Sequence, residues 1–278
     1  MANRVWLKLT GDGIVATPDN FGLMGIKPTH PELLEYLAIS FMDNNWSVKA
    51  LIREIMLSRT YQMSSTYDAS NYAVDPDNKL HWRMNQRRLD AEAIRDGMLA
   101  VSGVLDLYPV AGSPVARVSE DRRGLAVLVQ QLSSQPTPTR SIYQPIIRDQ
   151  IPEFLSVFDF PDASLVNGRR DTTNVPSQSL FLMNNPQAIQ LADAFARRIA
   201  EHEGDPMERL THAYQLAFSR APTEEEFTAI RSFWMRFPET VQTRSPKHSP
   251  EGKKEAQGLA LSAFCQSLFA SAEFRLLN

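Results

Sequence analysis

The sequence predicts a mainly α-helical protein, a multi-helix domain with long irregular segments and at most a small β element. Three observations predict it. Apolar residues recur at helical spacing in segment after segment, helix-starting residues precede several of those stripes, and only one short stretch reads as a strand.

The chain opens on an amphipathic segment, residues 1–9, which carries Val5, Trp6, Leu7 and Leu9. After Lys27-Pro28, Thr29 and Glu32 have capping-box spacing, and Leu33, Leu34, Leu37, Ala38 and Phe41 make one stripe. A second helix starts near Ser47 with Val48, Leu51, Ile52, Ile55 and Met56 in register. The short Asn44-Asn45-Trp46 joint implies an antiparallel hairpin with Trp46 buried against both helices. Residues 63–78, rich in Ser, Asn and Asp, read as a surface loop, and a third helix is expected over 90–101 with a stop near Gly103.

Residues 109–138 hold no sustained period and read as an excursion with one short helix over 125–132. Residues 141–147 are the strand candidate, confined to an edge or a crossing by Pro145. The stretch 154–185 reads as packed but irregular. Helices return behind Asn185-Pro186, Asp205-Pro206 and the Thr223/Glu226 capping box, and a last one is expected over 255–274 after a polar break at 242–254. The organisation expected is 1–108 as an amino-terminal helical part, 109–185 as an irregular segment with a short strand, and 186–278 as a carboxy-terminal helical part, together forming one continuous globular unit.

Composition bounds the chemistry. The 278 residues are 43% hydrophobic and 22% charged, near globular averages, with a formal net charge of -3 that lacks the basic excess a phosphate backbone demands. Nucleic acid is therefore not an expected partner. The single cysteine, Cys265, excludes an intrachain disulfide and a thiolate-only metal site, and reads as core packing. There is no Cys-x-x-Cys-His, so no haem is attached within this sequence, and no cofactor is expected. No apolar run approaches the ~20 residues of a membrane span. The front carries no secretory leader, so the chain as given would stay in the cytoplasm, and the abrupt amphipathic opening reads as an amino-terminal truncation.

Two polar constellations could carry chemistry. The denser runs from His81 through Trp82, Arg83, Asn85, Gln86, Arg87, Arg88, Asp90 and Glu92 to Arg95 and Asp96. Guanidinium forks there could read a carboxylate, sulfate or phosphate, with Arg87, Arg88 and Trp82 as ligand-binding candidates; structural ion pairing is the plainer reading. The second is Asp159-Phe160-Pro161-Asp162 followed by Arg169, Arg170 and Asp171. Asp159 and Asp162, with Asp90, are the acid-base candidates, and Arg169 and Arg170 join the ligand-binding set, although aspartates beside proline are ordinary turn residues. His30, at a helix start, could be a ligand or a base. The other histidines show no paired metal spacing, and His202 and His212 fall on different helices, so no metal site is expected. Glycine-rich nucleotide loops and the Gly-x-Ser-x-Gly elbow are absent.

Several motifs together resemble the planctomycete family called domain of unknown function 1553. They are Asn3-Arg4-Val5-Trp6, Gly13-Ile14-Val15-Ala16-Thr17-Pro18-Asp19-Asn20-Phe21-Gly22, His30-Pro31-Glu32-Leu33-Leu34 and Leu57-Ser58-Arg59-Thr60-Tyr61-Gln62. Asn85-Gln86-Arg87-Arg88-Leu89-Asp90-Ala91-Glu92, Phe158-Asp159-Phe160-Pro161-Asp162, Val175-Pro176-Ser177-Gln178-Ser179-Leu180, Asn184-Asn185-Pro186 and Ala270-Ser271-Ala272-Glu273-Phe274 continue the pattern. The resemblance implies a context rather than a reaction. It places such domains behind a companion domain, often with a cytochrome c domain, in exported or periplasmic proteins of bacteria that degrade complex, often sulfated, polysaccharides.

Three readings follow. The first is a non-catalytic binding or assembly domain for a polysaccharide or a partner protein, favoured if Trp6, Trp82 and Tyr143 lie exposed beside arginines. The second is a hydrolase acting on a sugar-like substrate, which needs Asp159, Asp162 and Asp90 to converge near Arg87 or Arg169. The third is a docking domain for an electron-transfer cytochrome.

Overall fold

Capping side chains, prolines at the first helical turn and one left-handed glycine cap set several helix boundaries among the described residues. The computed structural model describes residues 1–113, 115, 122–134, 137–147, 151–244 and 250–277. These divide into two units, one comprising Met1–Arg88, Leu165–Asp171 and Leu276–Asn278, the other Leu89–Ser164 and Thr172–Arg275. The architecture is mainly α, as expected.

The first unit holds α1 (Ala2–Thr10), α2 (Pro31–Asp43), α3 (Val48–Leu57) and the short α4 (Ala69–Val74). Its β1 (Arg87–Arg88) pairs antiparallel with β2 (Leu276–Leu277), Arg87 opposite Leu277 and Arg88 opposite Leu276. Helices α1, α2 and α3 pack on one another around Val5, Trp6, Ile14, Leu37, Phe41 and Ile55. Gly11 ends α1 at φ 91, a left-handed cap that lets its N–H bond back to the Leu7 carbonyl. Just beyond, the buried Asn3 amide clasps the returning loop: its Nδ2 donates to the Val15 carbonyl at 3.0 Å and its Oδ1 accepts from the Val15 N–H at 2.8 Å. That clasp supplies both polar groups of a buried peptide, which helix and sheet cannot reach here.

The second unit holds α5 (Ala91–Val101), α6 (Arg122–Ser134), α7 (Glu153–Val157), α8 (Pro176–Asn184), α9 (Pro186–Ala200), α10 (Pro206–Phe218), α11 (Glu224–Arg244), α12 (Pro250–Ala270) and α13 (Ala272–Arg275). Helix α9 is central, packed by α5, α6, α8, α10 and α12. Phe195 of α9 stacks on Phe269 of α12 with ring centroids 5.7 Å apart, both fully buried. Cys265 lies in this core, where burial pushes its thiol up, so it serves as packing. Asn185 caps α9 by accepting from the Gln187 and Ala188 N–H groups. Asp205 and Glu208 form a reciprocal capping box on α10, each cap adding about 1 kcal/mol.

Five local expectations are corrected. The stretch 154–185 is not irregular throughout: Glu153–Val157 form α7 behind Pro152, and Pro176 opens α8 at its first helical position. Residues 141–147 are not a strand: Ser141–Tyr143 form a 3-10 turn. The reason is long-range. The Ser141 N–H and hydroxyl both donate to the Asp96 carboxylate, and the Thr137 and Thr139 carbonyls accept from Arg95, so side chains of α5 satisfy groups a ladder would have used. Thr29 does not cap α2. His30 occupies the cap with Pro31 at the first helical position, while Thr29 donates through its N–H and hydroxyl to the Ile14 carbonyl. Trp46 is 65% exposed rather than buried, because Asn45 and Trp46 both take left-handed backbone angles that swing the indole outward onto the edge of Phe41. The last helix breaks at Ser271, whose hydroxyl caps α13. Within the excursion and the polar break, residues 114, 116–121, 135–136 and 245–249 lie outside the described set.

The capping box before α11 does double duty. Glu226 accepts from the Thr223 N–H and returns its own N–H to the Thr223 hydroxyl. Arg220 joins it, donating two bonds to Glu226 and two to Glu273, with its guanidinium over the Tyr214 ring at 5.3 Å. The Arg220 hydrogen bonds hold the Glu226 carboxyl well below its usual range. A depressed carboxylate stabilises the fold above the unfolded value of about 4.3 and loses that contribution as pH falls toward the folded one. Because Arg220 is 37% exposed, solvent screens the forks and about 1–2 kcal/mol is the expected size. Melting temperatures scanned downward from pH 6 should fall steeply below pH ~4 for the native chain and less so for Arg220→Met; parallel curves would show the forks contribute nothing.

Candidate functional site

The loop between α4 and β1 is built inward from one carboxylate. Asp75, buried, accepts from the Lys79 and Leu80 N–H groups, and its carbonyl takes the Trp82 indole N–H at 2.9 Å. Asn78, at φ 52, donates to the Arg83 carbonyl and to Asn85 Oδ1, both at 2.8 Å. Asn85 donates in turn to the Thr10 carbonyl and the Asp12 carboxylate, and Asp12 pairs with Arg169 at 2.9 Å. The run Asp75, Asn78, Asn85, Asp12, Arg169 is therefore one continuous polar framework. Side-chain amides make its two middle steps, Asn78 to Asn85 and Asn85 to Asp12, while a backbone bond joins Asn78 to Asp75 and an ion pair joins Asp12 to Arg169.

Above that framework sit two aromatic groupings. His81, at φ 54, lies edge-on to Trp6 at 5.3 Å and 5.6 Å from His30. Burial, and next the neighbouring His30, push the His81 imidazole down, so it is neutral at physiological pH. The Arg83 guanidinium lies 4.7 Å over the Trp82 ring and 5.9 Å from that of Tyr67, and Tyr67 packs on Tyr72 at 5.3 Å. Tyr67 and Tyr72 are exposed. The Met84 N–H bonds to the Ser64 carbonyl, so residues 61–67 and 82–87 run side by side. Along that pair lies a cleft of about 280 Å³, lined by Tyr61, Gln62, Met63, Met84, Asn85, Arg87 and Leu277.

The candidates named from sequence fall as follows. Trp82 is half-buried, pinned by its indole N–H, with Arg83 on its face. Arg87 donates to the Lys8 carbonyl at 2.5 Å and lines the cleft; Arg88 is buried in β1. Arg169 is spent on Asp12, and Arg170 is the next residue of the same short segment. In the second unit, Asp159 takes a left-handed backbone angle and accepts from the Thr173 N–H and hydroxyl. Asp162 caps its own turn through the Ser164 N–H, and Asp90 sits at the cap of α5, its carbonyl accepting from Ala93 and Ile94. Trp6 is buried, whereas Trp82 and Tyr143 are half-buried. Among the described residues no group of three or more His, Cys, Asp or Glu could hold a metal ion, and no helix is long and apolar enough to cross a membrane.

Three features escaped the sequence reading. The His30/His81 pair joins residues far apart in the chain. His202 and His212, read as belonging to different helices, nonetheless stack at 4.1 Å. Arg83 stood inside the quoted constellation, but only folding brings Tyr67 to its other side.

The fold and the amide framework define a helical protein in which Asn3 and Asn85, both within the quoted motifs, hold loops in place, and Arg169 pairs with Asp12 beside them. The chain belongs to the family described as PSD1, a protein of unknown function (DUF1553), whose model matches residues 1–234. No curated protein and no solved structure matches it.

Proposed function

We propose that this chain is a non-catalytic binding and assembly domain that receives an amphipathic helix of a partner protein on α2. One observation carries the reading: α2 is apolar on two sides. Leu37 and Phe41 face the core, while Leu34, Ala38, Phe41 and Met42 line an open groove of about 340 Å³ with Ala2, Asn3, Phe21 and Trp46. Phe21, Leu23, Met24 and Ile26 continue the apolar surface, with Leu23 fully exposed. A patch of this kind marks an interaction surface. Its lining residues at 34, 38, 41 and 42 follow the ridge spacing that accepts another helix. Glu32, Glu35 and Asp43 are exposed along the next row, so the complementary helix carries lysine or arginine on that flank.

The candidate carboxylates fit this reading, since Asp159 and Asp162 are engaged by backbone groups of their own segments. A polysaccharide ligand is the second reading, favoured by the exposed Tyr67 and Tyr72 beside Arg83.

The test is titration of the full chain with an 18-residue designed helix bearing a leucine stripe and a lysine flank, against the same helix with glutamates. Trp46 reports occupancy, and the Trp46→Phe variant identifies its share of the signal. A saturable blue shift with the lysine helix, weakened about tenfold or more by Ala38→Asp, is expected. Equal response to both helices removes the acidic-row argument, and no response to either defeats the reading.

A further inference from the structure

The ledge formed by Trp82, Arg83, Tyr67 and Tyr72 lies away from the α2 groove in its lining residues and has chemistry of its own. Among the described residues Arg83 makes no ion pair, and its side chain is held only by the two rings. A guanidinium held over aromatic rings is pre-organised for a bidentate acceptor, and the Arg83 Nε is buried with no hydrogen-bond partner. The carboxylates near it in sequence are engaged: Asp68 with Ser70 and the Asn71 N–H, Asp75 with the Lys79 and Leu80 N–H groups, and Asp77 with Lys79. Arginine, tyrosine and tryptophan are also the residues that most often dominate protein interfaces, because they offer large contact area with little entropy to lose.

We propose that Arg83 is the anchor of a second docking site, specific for an extended acidic segment of a partner polypeptide. An Asp or Glu side chain takes the Arg83 fork between Tyr67 and Tyr72, and a neighbouring apolar side chain enters the cleft lined by Met63, Met84, Leu277 and Tyr61. Two observations favour a polypeptide over a charged polysaccharide. The cleft beside the ledge sets Met63, Met84 and Leu277 next to Gln62, Asn85 and Arg87, a mixed wall that suits an apolar side chain and the polar backbone that carries it. The Asn85 amide, which could have served sugar hydroxyls, is already spent on Asn78, Thr10 and Asp12. The site rests on the binding-domain reading but not on the α2 groove.

The experiment is an immobilised peptide array in which every Glu-Leu, Asp-Leu, Glu-Met and Asp-Met pair in a neutral twelve-residue frame is matched by its Gln or Asn counterpart. It is probed with the full chain, with Arg83→Lys, with Tyr72→Ala and with Arg231→Gln as a charge control far along the sequence. Polygalacturonate, dextran sulfate and single-stranded poly(dT) are run beside it. The expected result is capture by acidic peptides over their amides, lost about tenfold or more in Arg83→Lys, which keeps the charge but not the fork, and unchanged in Arg231→Gln. Equal capture of acid and amide peptides overturns the proposal, as does native-like binding by Arg83→Lys. Tighter, Arg83-dependent binding of either polysaccharide overturns it in favour of the saccharide reading, and equal binding of poly(dT) reduces it to unspecific charge. Ala38→Asp separates the two surfaces: it should abolish capture of the lysine-flanked helix and leave the acidic peptides bound.

Discussion

Replacing Arg95 by methionine should destabilise the second unit by about 3–5 kcal/mol, far more than an exposed arginine would cost. Arg95 is 2% exposed and donates to the carbonyls of Thr137 and Thr139 and to the hydroxyls of Thr137 and Ser141, at 2.6 to 3.1 Å. Burial pulls its guanidinium down to about 10 against the opposing attraction of Asp96, 3.8 Å away, so the group stays charged at neutral pH. Methionine fills much of the space but leaves two carbonyls without donors and Asp96 with Arg140, at 3.7 Å, as its remaining cation. The cost therefore comes from the groups left behind rather than from lost packing. Hydrogen exchange at amides of α5 and α9 under native conditions measures it. A loss below about 1 kcal/mol would mean that water replaces the guanidinium, and the account of residues 137–144 would fail.

A second large effect is expected at Asn3. Asn3→Asp preserves shape and the acceptor for the Val15 N–H, but it sets a carboxylate oxygen against the Val15 carbonyl in a site 2% exposed. An unpaired buried charge of that kind costs about 3–5 kcal/mol, and Asn3→Ala, which only empties the clasp, less. Burial raises the new carboxyl in the folded state, so its penalty is full at neutral pH and shrinks as pH falls through the raised value, where the protonated acid can donate to Val15. The gap in melting temperature between Asn3→Asp and the native chain should accordingly be narrower at pH 4.5 than at pH 7.5. A gap that widens on acidification would contradict the burial of this position.

Much of the helical layout was legible in the residues because short-range chemistry specified it. Ser47 before α3, Gly103 at φ 76 after α5, Asn185-Pro186 and Asp205-Pro206 are start and stop signals read within a few positions. Failure came where distant side chains decide. Residues 141–147 look like a strand until Arg95 and Asp96 are known to occupy their partners, and Trp46 looks buried until two left-handed residues turn it outward. The candidate site divides in the same way. The arginine-rich constellation was visible, but the sequence could not tell Arg88, which is buried, from Arg83, whose ring partner Tyr67 lies beyond α4. Likewise Asp159 and Asp162 read as turn formers first and as acids second, and the Thr173 and Ser164 N–H groups engage them.

Order of synthesis follows from how the first unit is assembled. Its three helical layers are all made early, yet β1 waits for Leu276–Leu277 and Asp12 waits for Arg169. On a translating ribosome, residues 1–88 would emerge with one strand edge open and Asp12 held by Asn85 alone until residues 165–171 and 276–277 had been made. This unit is thus begun before the second and completed after it, and a nascent chain stalled between residues 89 and 275 would present an incomplete surface to proteases and chaperones.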